Sequence, residues 1–206
     1  MTPIKAIVVD YGGVLVQAPS DPQNLERIAG EVGIETSRLK DGVYGTGRAL
    51  WNRAKLGLIS EDEHWAEVER NLQLPTHKIQ WIKHELFETP HVHEEFLHFI
   101  KRLHGQYSLA ILSNGIPAFS RTWATLGFTD LFDVMINSCF VKMAKPDSEI
   151  YKLVTERLGL TSNVCIFVDD QAKNLEAAGQ LGFQVVHYDD EKQAIQSITE
   201  LIGAKN

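Results

Sequence analysis

The sequence contains little cysteine, no long apolar run and no excess of positive charge, and each shortage excludes a class of protein. Only two cysteines, Cys139 and Cys165, occur among its 206 residues, so a disulfide framework is not expected and a reducing compartment fits. No stretch approaches the roughly 20 apolar residues of a membrane-spanning helix. The apolar run over residues 4–9 has the length of a strand and lacks the charged start of a signal peptide. We therefore expect a soluble, cytoplasmic protein with no membrane partner.

The charge balance is acidic. Asp and Glu number 27 against 20 Lys and Arg, which gives a net charge of -7. Because the basic residues are scattered, neither a nucleic acid nor an anionic membrane surface is an expected partner. A small phosphorylated substrate would have to be attracted locally, by a metal ion and a few placed cations. The length and the 44% hydrophobic content suffice for one core domain of ordinary size and a smaller appendage.

Short β-branched runs alternate with helical patterns from residue 90 onward. Each run has the apolar character that is typical of a parallel strand covered on both faces. The alternation predicts an α/β fold, a doubly wound parallel sheet with helices on both faces. The predicted strands cover residues 4–9, 107–112, 132–136, 164–168 and 183–186, and the predicted helices of this part cover residues 91–104, 117–126, 147–158, 171–181 and 190–202.

The interval from residue 17 to residue 88 shows amphipathic helical patterns and no convincing strand. Ser60 and Glu63 form a capping-box pattern, in which each side chain can bond to the main-chain N–H of the other. We expect a small all-helical cap domain over residues 17–88, inserted after the first strand, and a core domain over residues 1–16 and 89–206. The predicted cap helices cover residues 21–32, 44–56, 60–71 and 76–87.

Four short motifs, most of them at the ends of predicted strands, carry the chemistry of the chain. In an open α/β sheet, ligands bind outside the carboxyl ends of the strands, so these motifs should converge on one crevice. Three carboxylates, a hydroxyl, a carboxamide and an ammonium are the groups that a site needs to hold Mg²⁺ and to transfer a phosphoryl group. The groups belong to Asp10 in IVVDYGG, Ser113 and Asn114 in LAILSNG, Lys145 in MAKPD, and Asp169 and Asp170 in CIFVDD.

Together these motifs resemble those of the haloacid dehalogenase-like (HAD) hydrolase superfamily. The family pattern is a first strand ending in DxDG[TV], a second ending in [ST]N, a Lys before Pro, and a terminal acidic pair. The resemblance extends from Ile4 to Phe183. The stretches AKLGLISEDEHW and FVDDQAKNLEAAGQLGF are most similar to the helical-cap subgroup that includes the phosphatase domain of soluble epoxide hydrolase and bacterial sugar-1-phosphate phosphatases.

The resemblance implies a covalent, metal-assisted mechanism. Asp10 would be the catalytic nucleophile, which attacks phosphorus and becomes an aspartyl-phosphate. Asp10, Asp170 and the backbone carbonyl of Gly12 would bind Mg²⁺, the expected cofactor, and Asp169 would contribute to the metal site through water. Asn174, where many relatives carry another acid, would orient its neighbours.

The resemblance also implies a set of groups around the phosphate. Ser113, Asn114 and Gly115 would bind it through a hydroxyl and loop amides, and Gly13 would line it from the first motif. Lys145 would stabilise the charge that develops in the transition state. Ser113, Asn114 and Lys145 are the catalytic residues expected beside the nucleophile.

Gly12 departs from the family pattern. The Asp that usually stands at this position protonates the leaving oxygen, a contribution of roughly 10²- to 10⁴-fold. One interpretation is a Mg²⁺-dependent phosphatase whose substrates have good leaving groups. A second is a metal-independent 2-haloacid dehalogenase, because halide leaves without a proton. A third is a non-catalytic homologue that binds a phosphorylated ligand or a protein. Retention of the acidic pair at Asp169 and Asp170 favours the first.

One predicted cap segment contains large polar and aromatic side chains that could overhang the crevice. Tyr44, Arg48, Trp51 and Arg53 lie in it. For either arginine, contact with a substrate oxygen and exposure on a solvated helix face are the alternatives. For the tryptophan, we expect packing in the small cap core, because large aromatics dominate such cores.

Overall fold

A computed structural model of the protein describes residues 3–203, and its centre is a five-stranded sheet in which every neighbouring pair of strands is parallel. The strand order is β3-β2-β1-β4-β5, so the first strand lies in the middle. The predicted doubly wound α/β fold is confirmed. Residues 1–2 and 204–206 of the predicted core domain lie outside the described residues. The strands are β1 (Ala6–Val9), β2 (Ser108–Ser113), β3 (Val134–Asn137), β4 (Cys165–Asp169) and β5 (Gln184–His187).

Alternate residues of the central strands face two separate apolar layers. Ile7 and Val9 of β1 belong to one buried cluster, and Ala6 and Val8 belong to the other. All four are fully buried, which the period of two along a strand covered on both faces requires. The helices that follow residue 90 are α6 (Glu94–Leu103), α7 (Pro117–Thr125), α8 (Ser138–Val141), α9 (Ser148–Leu158), α10 (Ala172–Gln180) and α11 (Glu191–Gly203).

Among the described residues, six α-helices lie between β1 and β2, and five of them come before residue 90. The prediction of one helix over residues 44–56 was wrong, because α2 ends at Tyr44 and a 3₁₀ turn over Thr46–Arg48 precedes α3. The helix α2 was not predicted from the sequence. Its N-cap residue, Glu35, makes no side-chain capping bond, so the usual start signal is missing. The five are α1 (Pro22–Val32), α2 (Thr36–Tyr44), α3 (Ala49–Lys55), α4 (Glu61–Leu72) and α5 (Thr76–Phe87).

The predicted capping box begins α4. The N–H of Glu63 donates to Ser60 Oγ over 3.1 Å, and the N–H of Ser60 donates to Glu63 Oε2 over 2.7 Å. Both bonds satisfy donors that the first turn of a helix leaves free. None of the helices between residues 3 and 203 combines the length and the apolar character that crossing a membrane requires.

Polar contacts join the helical segment to the rest of the fold. The Arg121 guanidinium of α7 donates to both carboxylate oxygens of Glu61 in α4, over 3.0 and 2.7 Å. Burial alone would raise the pKa of Glu61, but the hydrogen bonds from Arg121 and Lys83 outweigh it and hold the pKa below its usual value. Ser138 Oγ of α8 donates to the carbonyl of Lys55 over 2.6 Å. These bonds fix α3 and α4 over the carboxyl end of the sheet.

Candidate active site

The carboxyl ends of the two central strands bring three carboxylates together. Asp10 directly follows β1, and its N–H donates to the carbonyl of Val168 in β4 over 2.9 Å. Asp169 ends β4, and Asp170 follows it. One oxygen from each of the three carboxylates lies within 4.8 Å of the others. The convergence that the strand-end motifs predicted is therefore present in the structure.

Lys145 supplies the positive charge of this cluster. Its side chain is buried, with Nζ 2.9 Å from Asp10 Oδ2 and 2.7 Å from Asp169 Oδ2. Asn114 holds the main chain of Lys145 from both sides, because Asn114 Nδ2 donates to its carbonyl over 2.8 Å and its N–H donates to Asn114 Oδ1 over 2.9 Å. The carboxamide therefore sets the position of the lysine, which in turn contacts the expected nucleophile.

Both oxygens of Asp169 are engaged by protein donors. Oδ2 contacts Lys145, and Oδ1 accepts from the N–H of Gln171 and from Asn174 Nδ2, each over 2.9 Å. The residue is fully buried. Asp169 thus orients Lys145, and Asn174 orients Asp169.

Asp170 presents an oxygen that no group of the described chain satisfies. Its Oδ1 is buried and has no hydrogen-bond partner among residues 3–203, a costly arrangement for a carboxylate unless a cation binds it. Gly13 makes room for this side chain. It has a φ of 96°, and a Cβ at its position would lie 2.7 Å from Asp170 Oδ2. Only glycine fits there, because it lacks the Cβ and tolerates the left-handed conformation.

Gly12 offers its main chain to the same cavity and has space beside it. The turn after β1 bonds through the carbonyls of Tyr11 and Val16, whereas the Gly12 carbonyl accepts no backbone hydrogen bond within the described residues. A Cβ at Gly12 would lie 3.4 Å from Pro19 Cδ, which is ordinary contact. The missing acidic side chain is therefore not excluded by the local backbone.

The charges of the cluster leave a deficit of two positive charges when all its groups are ionised, since three carboxylates face one ammonium. Burial, with the nearby charges of Asp169 and Asp170, raises the pKa of Asp10 to about 7, although Lys145 lowers it. Burial lowers the pKa of Lys145, but the charges of Asp10 and Asp169 outweigh this effect and raise it. The all-oxygen donor set, the unpaired Asp170 oxygen and the missing charge fit Mg²⁺.

A cavity of about 130 Å³ opens from this cluster toward the helical segment. Tyr44, Arg48 and Trp51 line it, and Trp51 also has the expected core packing, with its ring 5.6 Å from that of Tyr44 and 5.8 Å from that of Phe87. Arg53 does not, because its guanidinium lies 3.3 Å from Glu67 beside a different pocket. The cavity is lined by Asp10, Gly12, Ala18, Pro19, Ser20, Tyr44, Arg48, Trp51, Asn52, Lys55, Ser113, Asn114, Phe119, Lys145, Asp170, Gln171, Lys173 and Asn174.

Two residues expected at the phosphate have other contacts. The N–H of Gly115 donates to Ser138 Oγ over 3.1 Å, and that of Gly13 donates to the carbonyl of Val16 over 2.7 Å. Ser113, by contrast, ends β2 and lines the cavity. The two glycines therefore support the shape of the site through their main chain, and Ser113 and Asn114 line the cavity itself.

Three polar cavity residues have no distinguishing signal in the sequence. Asn52 and Lys55 lie on α3, and Lys173 lies in the first turn of α10. A lysine on an amphipathic helix is most often solvated, and only the position of α3 over the sheet separates these lysines from others on the surface.

Comparisons with known proteins place the chain in a family of hydrolases. Residues 4–182 match the sequence model described as haloacid dehalogenase-like hydrolase. The Sesquiterpene phosphatase astK of Aspergillus oryzae is 25% identical over 207 residues, 98% of this chain and 98% of that protein. The Phosphorylated carbohydrates phosphatase of Thermotoga maritima is 28% identical over 188 residues, 89% of this chain and 84% of that protein. Acyl-CoA dehydrogenase family member 10 of Mus musculus is 36% identical over 72 residues, and the matched part spans only 7% of its length.

Solved structures share the fold. A predicted HAD-like family hydrolase from Porphyromonas gingivalis superposes with a TM-score of 0.78 at 24% identity, covering 98% of both chains. The magnesium complex of a HAD family enzyme from Bacteroides thetaiotaomicron gives 0.72 at 21% identity, covering 90% of this chain and 93% of that one. A dehalogenase gives 0.68 at 22% identity, covering 98% of both chains.

Proposed function

The chain belongs to the haloacid dehalogenase-like hydrolase family, and on this basis we propose that it is a Mg²⁺-dependent phosphatase that hydrolyses a small phosphorylated metabolite through an aspartyl-phosphate on Asp10. One observation carries the proposal: three clustered carboxylates face a single ammonium, and one carboxylate oxygen of Asp170 is unpaired within the described residues. A metal-free dehalogenase would have to keep this negative charge beside an anionic haloacid, which is unfavourable.

The comparisons with known proteins support a phosphatase that uses magnesium. Two relatives that align with most of the chain carry the names of phosphatases, one for sesquiterpenes and one for carbohydrates. A structural neighbour is a magnesium complex. We propose Asp10, Asp170 and the carbonyl of Gly12 as the protein ligands, with Asp169 behind them holding Lys145. Bound there, Mg²⁺ would supply positive charge between the nucleophile and the phosphoryl oxygens.

The residues of the chain itself carry out the two steps of the proposed reaction. A carboxylate oxygen of Asp10 attacks phosphorus, the bond to the leaving oxygen breaks, and its electron pair departs with that oxygen. A water molecule then attacks the phosphorus of the aspartyl-phosphate and frees the carboxylate. The balance is one phosphate monoester and one water giving one alcohol and one phosphate. Lys145 stabilises the charge on the transferring group, and Ser113 donates a hydrogen bond to it.

The absence of a side chain at Gly12 limits the substrates. No carboxylic acid other than Asp10 and Asp170 lines the cavity among the residues from 3 to 203, and both are assigned to the metal. We therefore propose that leaving groups which need little protonation react best, such as anomeric sugar, acyl or aryl phosphates. Residues 17–88 would act as a cap domain that covers these substrates, because α3 forms one wall of the cavity.

A phosphate-release assay separates the candidate functions. Purified protein is incubated with an aryl phosphate and with a 2-haloacid, each with Mg²⁺ and with EDTA. The phosphatase proposal expects phosphate release only with Mg²⁺, and Asp10→Asn should reduce the rate at least about 10³-fold, because the nucleophile is lost.

The matched control is Asp41→Asn, which changes an exposed carboxylate on α2 that does not line the cavity and should keep the rate of the unmodified protein. Halide release in EDTA would instead support the dehalogenase candidate. This candidate is tested because a dehalogenase shares the fold. If neither substrate is hydrolysed, and no member of a panel of metabolite phosphates is hydrolysed either, the result would support the binding-only candidate.

A further inference from the structure

The cavity is also lined by cations that have no ion-pair partner among the described residues. Arg48, Lys55 and Lys173 all line it, and none forms an ion pair or a side-chain hydrogen bond in the described range, residues 3–203. Arg53, on the same helix as Lys55, is by contrast paired with Glu67. In an acidic protein with a net charge of -7, three unpaired cations around one small cavity are unlike the scattered surface.

These cations repel one another. Burial lowers the pKa of Lys55, and the positive charges of Lys173, Arg48 and Lys145 lower it further, against the opposing effect of Asp147. The fold therefore keeps Lys55 close to other positive charges, and this repulsion costs free energy. Binding an anion among the cations would remove the repulsion, which is how an unpaired cluster of like charge gains free energy from a ligand.

A buried hydroxyl points to a ligand at the same place. Tyr44 lines the cavity and is 2% exposed, yet its hydroxyl has no hydrogen-bond partner in the described part of the chain. Such a group costs free energy unless a ligand satisfies it. The guanidinium of Arg48 lies 5.2 Å from the centre of the Tyr44 ring, so the hydroxyl and one of the cations belong to the same wall.

The phosphoryl group alone does not account for these groups. Its charge is met by Lys145 and the proposed Mg²⁺, and the three further cations come from other elements, namely α10, α3 and the turn before α3. A cavity of about 130 Å³ is close to the roughly 150 Å³ that holds one benzene molecule. It has room for a phosphoryl group and a short carbon skeleton.

We propose that Arg48, Lys55, Lys173 and Tyr44 form a second anion subsite, and that the preferred substrate carries a second anionic group, a carboxylate or a second phosphate, a short distance from the phosphoryl group. The proposal rests on the phosphatase function above and narrows its substrate class. Lys55 and Lys173 supply charge, Arg48 can form a bidentate pair with the anion, and the Tyr44 hydroxyl donates to it.

A matched pair of substrates tests the subsite. The pair is a three-carbon alkyl phosphate that ends in a carboxylate and the same compound that ends in a hydroxyl. We expect kcat/KM for the carboxylate to exceed that for the hydroxyl at least about tenfold, since hydrogen bonds between charged groups are the strong ones. The ratio should fall toward one in Lys55→Gln and in Lys173→Gln, and it should also fall with rising salt.

Arg53→Gln is the control variant. It removes a cation from the same helix, two positions before Lys55, on the side that faces Glu67, so the ratio should stay that of the unmodified protein. Equal kcat/KM for the two substrates, an equal fall of the ratio in Arg53→Gln and Lys55→Gln, or a preference for a purely hydrocarbon monophosphate would each overturn the subsite.

A binding measurement separates failure of the subsite from failure of the phosphatase function. Both compounds are titrated by calorimetry into the unmodified protein in EDTA, where the phosphatase proposal expects no turnover. Tighter binding of the carboxylate compound, with no phosphate released when Mg²⁺ is present, would support the subsite and refute the phosphatase. Equal or undetectable binding of both compounds would overturn the subsite, whatever the rate of phosphate release.

Discussion

The ammonium of Lys145 holds two buried carboxylates at once. It lies 2.9 Å from Asp10 and 2.7 Å from Asp169, and its own position is fixed by Asn114. Removing one partner of such a buried group leaves the other charges without compensation, which costs far more than the pair contributes relative to apolar residues. The lysine therefore has a structural task besides the catalytic one proposed for it.

Lys145→Met should lower the free energy of unfolding of the metal-free protein by about 3–5 kcal/mol at pH 8, because two carboxylates lose their counter-charge. The loss should shrink at pH 5, which is below the pKa of about 7 of Asp10, because Asp10 is then protonated and needs no counter-charge. Urea unfolding at the two pH values measures it. Lys152→Met is the control, since Lys152 forms an exposed pair with Glu149 and should cost less than about 1 kcal/mol. Equal losses in the two variants would contradict the assigned role.

Gly13→Ala should abolish most of the Mg²⁺ affinity. The added Cβ would lie 2.7 Å from Asp170 Oδ2 and displace that carboxylate. Gly105→Ala provides the control, because Gly105 also has a positive φ, 79°, but has open space around it. Both variants suffer the left-handed strain of about 1 kcal/mol, and only the first disturbs the ligand. Calorimetric titration with Mg²⁺ distinguishes them, and equal affinities would refute the role given to Gly13.

Single residues were predictable from the sequence where they end a strand. Asp10, Ser113 and Asp170 follow apolar runs directly, so the sheet alone fixes where they lie. Lys55 and Lys173 were not predictable, because their place at the cavity depends on how helices far apart in the chain pack together. Their spacing within each helix is that of ordinary solvated lysines.

At the scale of the element, α4 carries an unusual buried histidine. His64 is fully buried, and neither of its ring nitrogens has a hydrogen-bond partner among the described residues. Its ring packs edge-on against Trp65, with centroids 5.5 Å apart, and against Trp51, 6.4 Å apart. Burial lowers the pKa of His64 to about 4, although Glu61 and Glu67 oppose the shift. The imidazole of His64 is therefore neutral in the folded protein at neutral pH.

The pKa of His64 predicts a pH-dependent stability. The ring of His64 binds a proton near pH 6.5 in the unfolded chain but only near pH 4 in the folded chain. The contribution of the neutral ring to the free energy of unfolding is therefore fully present above pH 6.5 and is lost as the pH falls from 6.5 to 4. The loss amounts to about 3 kcal/mol at most. His64→Leu should flatten the difference in unfolding free energy between pH 7 and pH 4.5. The exposed His77→Gln should not, and an unchanged slope in His64→Leu would refute the assignment.

The regular elements followed the sequence pattern closely, and the short ones did not. Every predicted strand is present, because continuous apolar runs between turn residues specify buried parallel strands. The helices α2 and α8 were not predicted. The first lacks a capping side chain, and the second, Ser138–Val141, is a single turn directly after β3. Tertiary contacts such as the bond from Ser138 to Lys55 specify it, and no local pattern encodes them.

At the scale of the whole molecule, the helical segment meets the sheet domain along a close seam. A Cβ at Gly57 would lie 2.2 Å from the carbonyl oxygen of Cys139. The bidentate pair of Arg121 and Glu61 lies on the same seam. Because α3 lines the cavity, the spacing of this seam determines how the cavity is covered.

Gly57→Ala should widen the seam and lower kcat/KM at least about tenfold, because a misplacement near 1 Å already costs about 10²-fold in a positioned site. Gly159→Ala is matched to it in backbone strain, with φ values of 66° and 62°, but has open space around its Cβ. Kinetics of the two variants, with circular dichroism to verify the fold, make the comparison. Equal losses of kcat/KM would show that strain alone matters.

The central position of β1 has a consequence for the order in which the protein becomes active. Asp10 is synthesised before Asp169 and Asp170 at the end of β4, and β4 pairs with β1 on the side opposite β2. A nascent chain in which β4 is still inside the ribosome therefore has Asp10 without the other two carboxylates of the cluster. Because such distant pairing is slow to form, competence to bind Mg²⁺ would mark the last stage of folding, and an inert precursor would precede it.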